Sequence, residues 1–179
     1  MRIRAVCIAV TLAAAASCTG ELENPADVEL VTVPVFNHVA AADARSFRAH
    51  AHGGEEVPPV DTNAQGQATF QLSRDGDEIS YKLIVANIVD VTQAHIHQAP
   101  AGVTGGIVVW LYPSEPPAEL IPGRSQGVLA EGVITEADLV GALDGMGLAA
   151  LVDDLRGGNA YVNVHTSANP PGEIRGQIR

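Results

Sequence analysis

Residues 67–85 read QATFQLSRDGDEISYKLIV and contain the pattern that decides the fold. Apolar and polar residues alternate on both sides of a central turn, with Phe70 and Leu72 before it and Ile79 after it. A period of two with β-branched and aromatic residues is typical of half-buried strands. Gly76 lies between two aspartates in the turn, where a glycine can adopt positive φ. The stretch therefore predicts a β-hairpin.

Short strands separated by turn residues continue on both sides of this hairpin. Further strands are predicted at residues 47–52, 91–97, 107–112, 127–134, 161–166 and 173–178. Residues 135–156 differ, because Thr135 followed by acidic residues favours the start of a helix, and residues 148–156 predict a second short one. These elements predict an all-β, antiparallel sandwich or barrel with a short helical insertion.

The N-terminus has the pattern of a secretory signal over residues 1–17. Arg2 and Arg4 precede an apolar run that is too short to span a bilayer as a mature helix. Small residues followed by Cys18 resemble a bacterial lipoprotein signal, although Ala15 stands where a leucine is usual. We therefore expect a lipid on Cys18, with plain secretion and cleavage near the same place as the alternative.

This interpretation divides the chain into a signal peptide, an acidic tether over residues 18–45 and one domain over residues 46–179. It places the protein in the bacterial cell envelope, at the outer membrane or on the periplasmic or extracellular face. The membrane is then a partner through the lipid on Cys18. The alternating pattern of the domain gives no sign of a solenoid repeat.

Composition limits the partners and the means of stabilisation. The two cysteines are Cys7, inside the predicted signal, and Cys18, so no thiol remains for a disulfide. The mature fold must be held by packing, or by packing and a metal. The formal charge is −11, and removing Arg2 and Arg4 makes it about −13. Such an acidic surface repels phosphates, so we expect no nucleic acid partner; an extracellular protein or a metal ion remains possible as a ligand.

Four blocks of sequence together resemble the chordin (CHRD) domain family. They are EEVPPV at 55–60, AHIH at 94–97, YVNVHT at 161–166 and GEIRGQI at 172–178, and they occur in that order. The resemblance covers residues 46–179. It implies an immunoglobulin-like or copper-zinc superoxide dismutase-like sandwich in a secreted or envelope protein. It does not extend to the growth-factor binding of animal chordin, given the bacterial type of signal.

We expect a binding or scaffolding role from this resemblance, because signatures of enzymes are absent. The chain has no nucleophile elbow, no phosphate-binding glycine loop and no zinc-protease motif. The sequence therefore favours a protein without catalytic activity.

Three histidines support an alternative function. His95 and His97 are two residues apart and share one face of a predicted strand, and His165 lies on the polar face of another. If the two strands are neighbours, the three imidazoles converge, and three histidines suit zinc or copper. The His-X-His pair also resembles the copper ligands of copper-zinc superoxide dismutase. In the other interpretation each imidazole only bonds a carbonyl or a carboxylate.

Glu56, Glu173 and Arg175 are predicted to form a structural polar network near these histidines. A fork between arginine and carboxylate would lock two strand ends, whereas a metal shell or acid–base role for a glutamate is the alternative. The sequence shows no second metal set with an aspartate. Redox chemistry like that of superoxide dismutase is therefore expected only if the histidines bind copper, and full dismutase activity is not expected.

Overall fold

The computed structural model of the chain describes residues 43–179. The predicted signal peptide, Cys18 and nearly all of the tether lie outside the described residues. Within that range the strands are β1 (Ser46–His52), β2 (Gln65–Leu72), β3 (Ile79–Gln98), β4 (Gly106–Tyr112), β5 (Ile121–Ile134), β6 (Ala160–Thr166) and β7 (Ile174–Gln177). One α-helix, α1 (Leu148–Gly157), precedes β6. No helix within residues 43–179 has the length and apolar character needed to cross a membrane.

β3 is the centre of the sheet. Its first half pairs with β2 and β5, and its second half pairs with β4 and β6, all antiparallel. The order β2-β1-β7-β6-β3, together with the pairing of β2 with β3, closes the sheet into a barrel. The predicted all-β fold with a short helix is confirmed.

The two strands predicted at 79–85 and 91–97 are halves of the single strand β3. Asn87 and Asp90 take positive φ, 58° and 55°, at the point where the register against β5 shifts. Asn and Asp tolerate this conformation better than other residues with a side chain, so the strand bends without ending. The bend carries His95 and His97 to the far half of β3, beside β6.

The helical insertion is shorter than predicted. In place of the helix expected from Thr135, the chain forms 3₁₀ turns at Glu136–Asp138 and Gly141–Leu143. Thr135 and Asp138 form a capping box, so a helical turn does begin after Thr135. The α-helix does not continue, because Gly141 has φ +61° and packs so closely on the backbone of Ile107 that a Cβ would overlap it. The predicted second helix is α1, which is capped after Gly157 by Gly158 with φ +67°.

Two buried layers flank β3, β6 and β7. One is the hydrophobic core of the barrel, to which these strands contribute Ala94, Ile96, Val162, Val164 and Ile174. The residues between them point to the other side of the strands and are buried as well. We call this set the polar layer; its members are His95, His97, Tyr161, Asn163, His165 and Arg175. Backbone carbonyls of the connections 99–105 and 167–173 contact it.

Candidate metal centre

Three imidazoles converge in the polar layer. β3 and β6 are paired, with His95 opposite Asn163 and Gln93 opposite His165, so the rings of both strands lie side by side. His95 Nδ1 is 3.2 Å from His165 Nε2. One ring nitrogen from each of His95, His97 and His165 lies within 4.8 Å of the others. The condition set by the sequence, that the two strands be neighbours, is met.

Backbone carbonyls orient two of these rings. His97 Nδ1 is 3.0 Å from the carbonyl oxygen of Gly105, and His165 Nδ1 is 2.9 Å from that of Pro170. A carbonyl oxygen only accepts hydrogen bonds, so both Nδ1 atoms donate and both Nε2 atoms keep their lone pairs. Metal-binding histidines are held in the same way, by a hydrogen bond from the ring nitrogen that does not bind the metal.

Two ring nitrogens of the cluster have no partner. His95 Nε2 and His97 Nε2 are buried without a hydrogen bond. An unsatisfied buried polar atom costs about 1–3 kcal/mol. The interpretation of these histidines as satisfied structural groups accounts for His165 but not for His95 and His97. His97 Nε2 has an unused lone pair that a cation would fill, whereas the lone pair of His165 Nε2 accepts a hydrogen bond from His95 Nδ1.

The protonation state of the cluster favours a cation as well. Burial, together with the neighbouring His165 and His97, lowers the pKa of His95 to about 3. Burial lowers the pKa of His97 to about 4, although the bond to the Gly105 carbonyl acts in the opposite direction. Burial also lowers the pKa of His165. All three rings are therefore neutral at neutral pH, which is the form that binds metals.

The geometry fits a metal after a small contraction. Metal–nitrogen bonds of about 2.0–2.1 Å place two ligand atoms of a tetrahedral site roughly 3.3 Å apart, close to the 3.2 Å between His95 and His165. Two nitrogens on one ion cannot be separated by more than about 4 Å. The 4.8 Å limit of the full set means that the rings must close by roughly 1 Å around an ion. Three imidazole donors suit zinc and copper.

Aromatic rings form the walls of the cluster. Trp110 lies opposite His95 on β4, and its ring is edge-on to the His95 ring with centroids 4.2 Å apart. Tyr161 is stacked on His97, with centroids 4.9 Å apart and ring planes 8° apart. Trp110 is not among the site residues predicted from the sequence, because neither strand alone reveals that β3 pairs with β4.

Glu56, Glu173 and Arg175 are buried beside the cluster, but each has a different partner. Arg175 donates to the carbonyls of Pro100 and Val103 at 3.3 and 2.8 Å, and its Cζ lies 3.5 Å from the Tyr161 ring centroid. Among residues 43–179 no ion pair within 4.0 Å includes Arg175, so the arginine–carboxylate fork is not formed.

The two glutamates bond to uncharged side chains. Glu173 accepts hydrogen bonds from the hydroxyls of Thr62 and Thr166, both at 2.7 Å. Glu56 accepts a long bond of 3.4 Å from Asn163 Nδ2. Burial raises the pKa of Glu56 to about 7, although the charge of Arg175 and the bond from Asn163 act in the opposite direction.

Two further histidines lie apart from this cluster. His50 and His52 are exposed on β1, on the face opposite the buried residues Phe47, Ala49 and Ala51. His52 Nε2 is 3.7 Å from Glu55 Oε1, an exposed contact of little energetic weight. They provide matched controls for the buried histidines.

Comparison with known proteins assigns the fold to a family. The family model described as CHRD domain matches residues 47–178. No curated protein and no solved structure shows significant similarity to the chain. The matched segment contains the three buried histidines and all seven strands except Ser46, the first residue of β1, and membership suggests a binding or scaffolding role. The chain belongs to the CHRD domain family.

Proposed function

We propose that this CHRD domain is a metal-binding module that holds one copper or zinc ion through His95, His97 and His165. One observation carries the proposal: three neutral, buried imidazoles each bring a ring nitrogen within 4.8 Å of the others, and one of these nitrogens, His97 Nε2, has no hydrogen-bond partner. The binding role suggested by the family is then binding of a metal ion. The ligand atoms would be Nε2 of His97, Nε2 of His165 and Nδ1 of His95, once the hydrogen bond between His95 Nδ1 and His165 Nε2 gives way to the ion.

The site favours retention of a metal over turnover of a substrate. The three ligands are 0%, 8% and 5% exposed, in chain order. This burial restricts the access of a substrate to the ion, although three protein ligands leave the fourth position of a tetrahedral ion open. Within the described residues this cluster is also the one group of three or more potential ligands close enough to hold an ion. Dismutase-like redox chemistry is therefore the less favoured form of the proposal.

Titration of the purified chain with zinc and with copper tests the proposal. Cys7→Ser and Cys18→Ser remove the thiols that would compete for metal. Calorimetry should give one ion per chain, and Cu²⁺ should quench the fluorescence of Trp110, the one tryptophan in the sequence, because its ring contacts His95. His95→Ala and His165→Ala should abolish both signals.

His50→Ala is the matched control, because it removes an exposed histidine outside the cluster. It should bind metal with the affinity of the parent chain. If His95→Ala binds as tightly as His50→Ala, the proposed site is wrong.

A second candidate function is a scaffolding contact made by the exposed sheet of β3 and β5. Ile84 and Val128 are cross-strand neighbours, and they are 40% and 54% exposed. Within residues 43–179, β5 pairs with β3 alone. Cross-linking in intact cells should trap a partner protein that is lost with Val128→Asp and retained with His165→Ala. A cross-link that is retained with Val128→Asp and lost with His165→Ala would contradict this candidate.

The envelope location is part of the proposal. The basic start, the apolar run and Cys18 support a lipid-anchored protein. Metabolic labelling with a radioactive fatty acid should mark the chain, and Cys18→Ser should remove the label. A chain labelled equally with and without Cys18 would contradict the anchor.

A further inference from the structure

Glu56 is a buried carboxyl group that is connected to the histidine cluster through Asn163. Its Oε2 lies 3.4 Å from Asn163 Nδ2. Asn163 is directly opposite His95 in the pairing of β3 with β6 and precedes His165 by two residues on the same face of its strand. Glu56 thus contacts a residue that is the cross-strand neighbour of His95 and lies next to His165 on the same face of β6.

Two oxygen atoms at this contact have no partner. Glu56 Oε1 and Asn163 Oδ1 are both buried without a hydrogen bond. Both face Gly172, since a Cβ at this glycine would overlap Asn163 Oδ1 and lie 2.6 Å from Glu56 Oε1. A carboxylate and an amide oxygen are both acceptors, so they cannot satisfy one another. A proton on Oε1 would turn this atom into a donor, which is what an unsatisfied amide oxygen on the same side of the contact needs.

The charged groups nearby do not neutralise Glu56 by contact. Arg175 on β7 acts on it, yet its guanidinium donates to carbonyls of the connection 99–105. Glu55 accepts a hydrogen bond from a backbone amide of β7, and Glu173 accepts from two threonine hydroxyls. Burial raises the pKa of Glu56 to about 7, in agreement with a proton held on this group.

We infer that Glu56 is the proton-coupled counter-ion of the metal site, a carboxylic acid in the metal-free chain that becomes a carboxylate when a divalent ion binds. The inference rests on the proposed metal site. Three neutral imidazoles supply no negative charge, so a dication brings two positive charges into a buried layer. The O–H bond of Glu56 breaks, its proton passes to the solvent, and the carboxylate offsets one of the two charges. No electron moves.

Proton counting by calorimetry tests this inference. The full chain with both cysteines changed to serine is titrated with Zn²⁺ at about pH 6, below the pKa of Glu56. Two buffers with different ionisation enthalpies give the number of protons released per ion. The parent chain should release close to one proton more than Glu56→Gln, which is neutral and similar in shape. Glu55→Gln, the neighbouring carboxylate, should release as many as the parent.

The outcomes separate the two proposals. Equal proton release by the parent and Glu56→Gln overturns the role of Glu56 while leaving the metal site intact. If the chain shows no zinc binding that is lost on removal of the histidines, the metal site itself is overturned.

Infrared spectroscopy of the parent chain needs no variant and so remains informative if Glu56→Gln does not fold. The carbonyl band of a protonated carboxylic acid should be present without zinc at about pH 6 and disappear as zinc is added. A chain that lacks the band before zinc is added contradicts the inference, as does a band that persists at saturation.

Discussion

At the scale of single residues, the buried histidines make the stability of the metal-free chain depend on pH. The folded pKa values of His95 and His97 are about 3 and 4, against 6.5 for an ordinary histidine. As the pH falls below about 6.5, the unfolded chain takes up protons that the folded chain does not, so the folded state loses stability. Glu56 has the opposite effect, because its pKa rises from 4.5 to about 7 on folding, so the folded chain takes up a proton that the unfolded chain does not as the pH falls through this range. This one group is outweighed by the three histidines, whose pKa values are all lowered by burial.

The free energy of unfolding should therefore fall as the pH is lowered from 6.5 towards 4, by about 1.4 kcal/mol per pH unit for each net proton. Urea denaturation across this range, in the presence of a chelator, measures the slope. His97→Gln removes one of the ionisations and should flatten it. A stability that stays constant or rises as the pH falls would contradict the burial of neutral rings.

The residues of the cluster could be predicted from the sequence in part. His95 and His97 share a face because side chains two apart on a strand point the same way. The positions of His165 and Trp110 depended on which strands pair, and this is a non-local property. The sequence predicts that one glutamate pairs with Arg175, because a fork between arginine and carboxylate locks two strand ends. In the structure Arg175 is satisfied by backbone carbonyls, which a sequence pattern does not reveal.

At the scale of elements, the connection between β3 and β4 holds one wall of the site. The Gly105 carbonyl orients His97, and its N–H donates to the Tyr161 hydroxyl at 3.1 Å. A Cβ on Gly105 would overlap the backbone carbonyl of Gln98. The connection would then have to move away from both rings.

Gly105→Ala should lower the stability of the chain by about 1–3 kcal/mol. It should also weaken metal binding by about 10–100-fold, the usual effect of disturbing a group that orients a ligand. Gly106→Ala is the matched control, because open space surrounds its Cβ position and its φ is not positive. Denaturation and metal titration of both variants check this. Equal losses in the two variants would show that the close approach at Gly105 has no role.

The elements themselves were predicted well where periodicity alone decides. Each predicted strand corresponds to a strand or to half of one, and α1 lies where the second helix was expected. The joining of two predicted strands into β3 depended on positive φ at Asn87 and Asp90. The first predicted helix gave way to 3₁₀ turns because Gly141 packs against Ile107. The first departure depends on local backbone conformation, and the second on a tertiary contact that outweighs helix propensity.

At the scale of the whole molecule, a bound ion should stabilise the fold. A ligand that binds only the folded state, at a free concentration 100 times its Kd, adds about 2.7 kcal/mol. For a domain of this size that raises Tm by roughly 5–15 °C. Differential scanning calorimetry of the metal-free and zinc-loaded chains measures the shift. His165→Ala should show none, and a similar rise in that variant would place the ion elsewhere.

The barrel as a whole was predictable as a class but not as a topology. Alternation and short spacings indicated an antiparallel sandwich or barrel with one core. The closing of the sheet, through the pairing of β1 with β7 and of β3 with β6, joins strands distant in sequence. These contacts leave no periodic signal.

The most direct test of the central claim is a crystal structure of the chain grown with zinc or copper, with diffraction data collected on both sides of the absorption edge of the metal. The account predicts one anomalous peak between His95, His97 and His165, with each metal–nitrogen distance about 2.0–2.1 Å. An empty cluster, with the metal bound instead at His50 and His52 or at surface carboxylates, would contradict it.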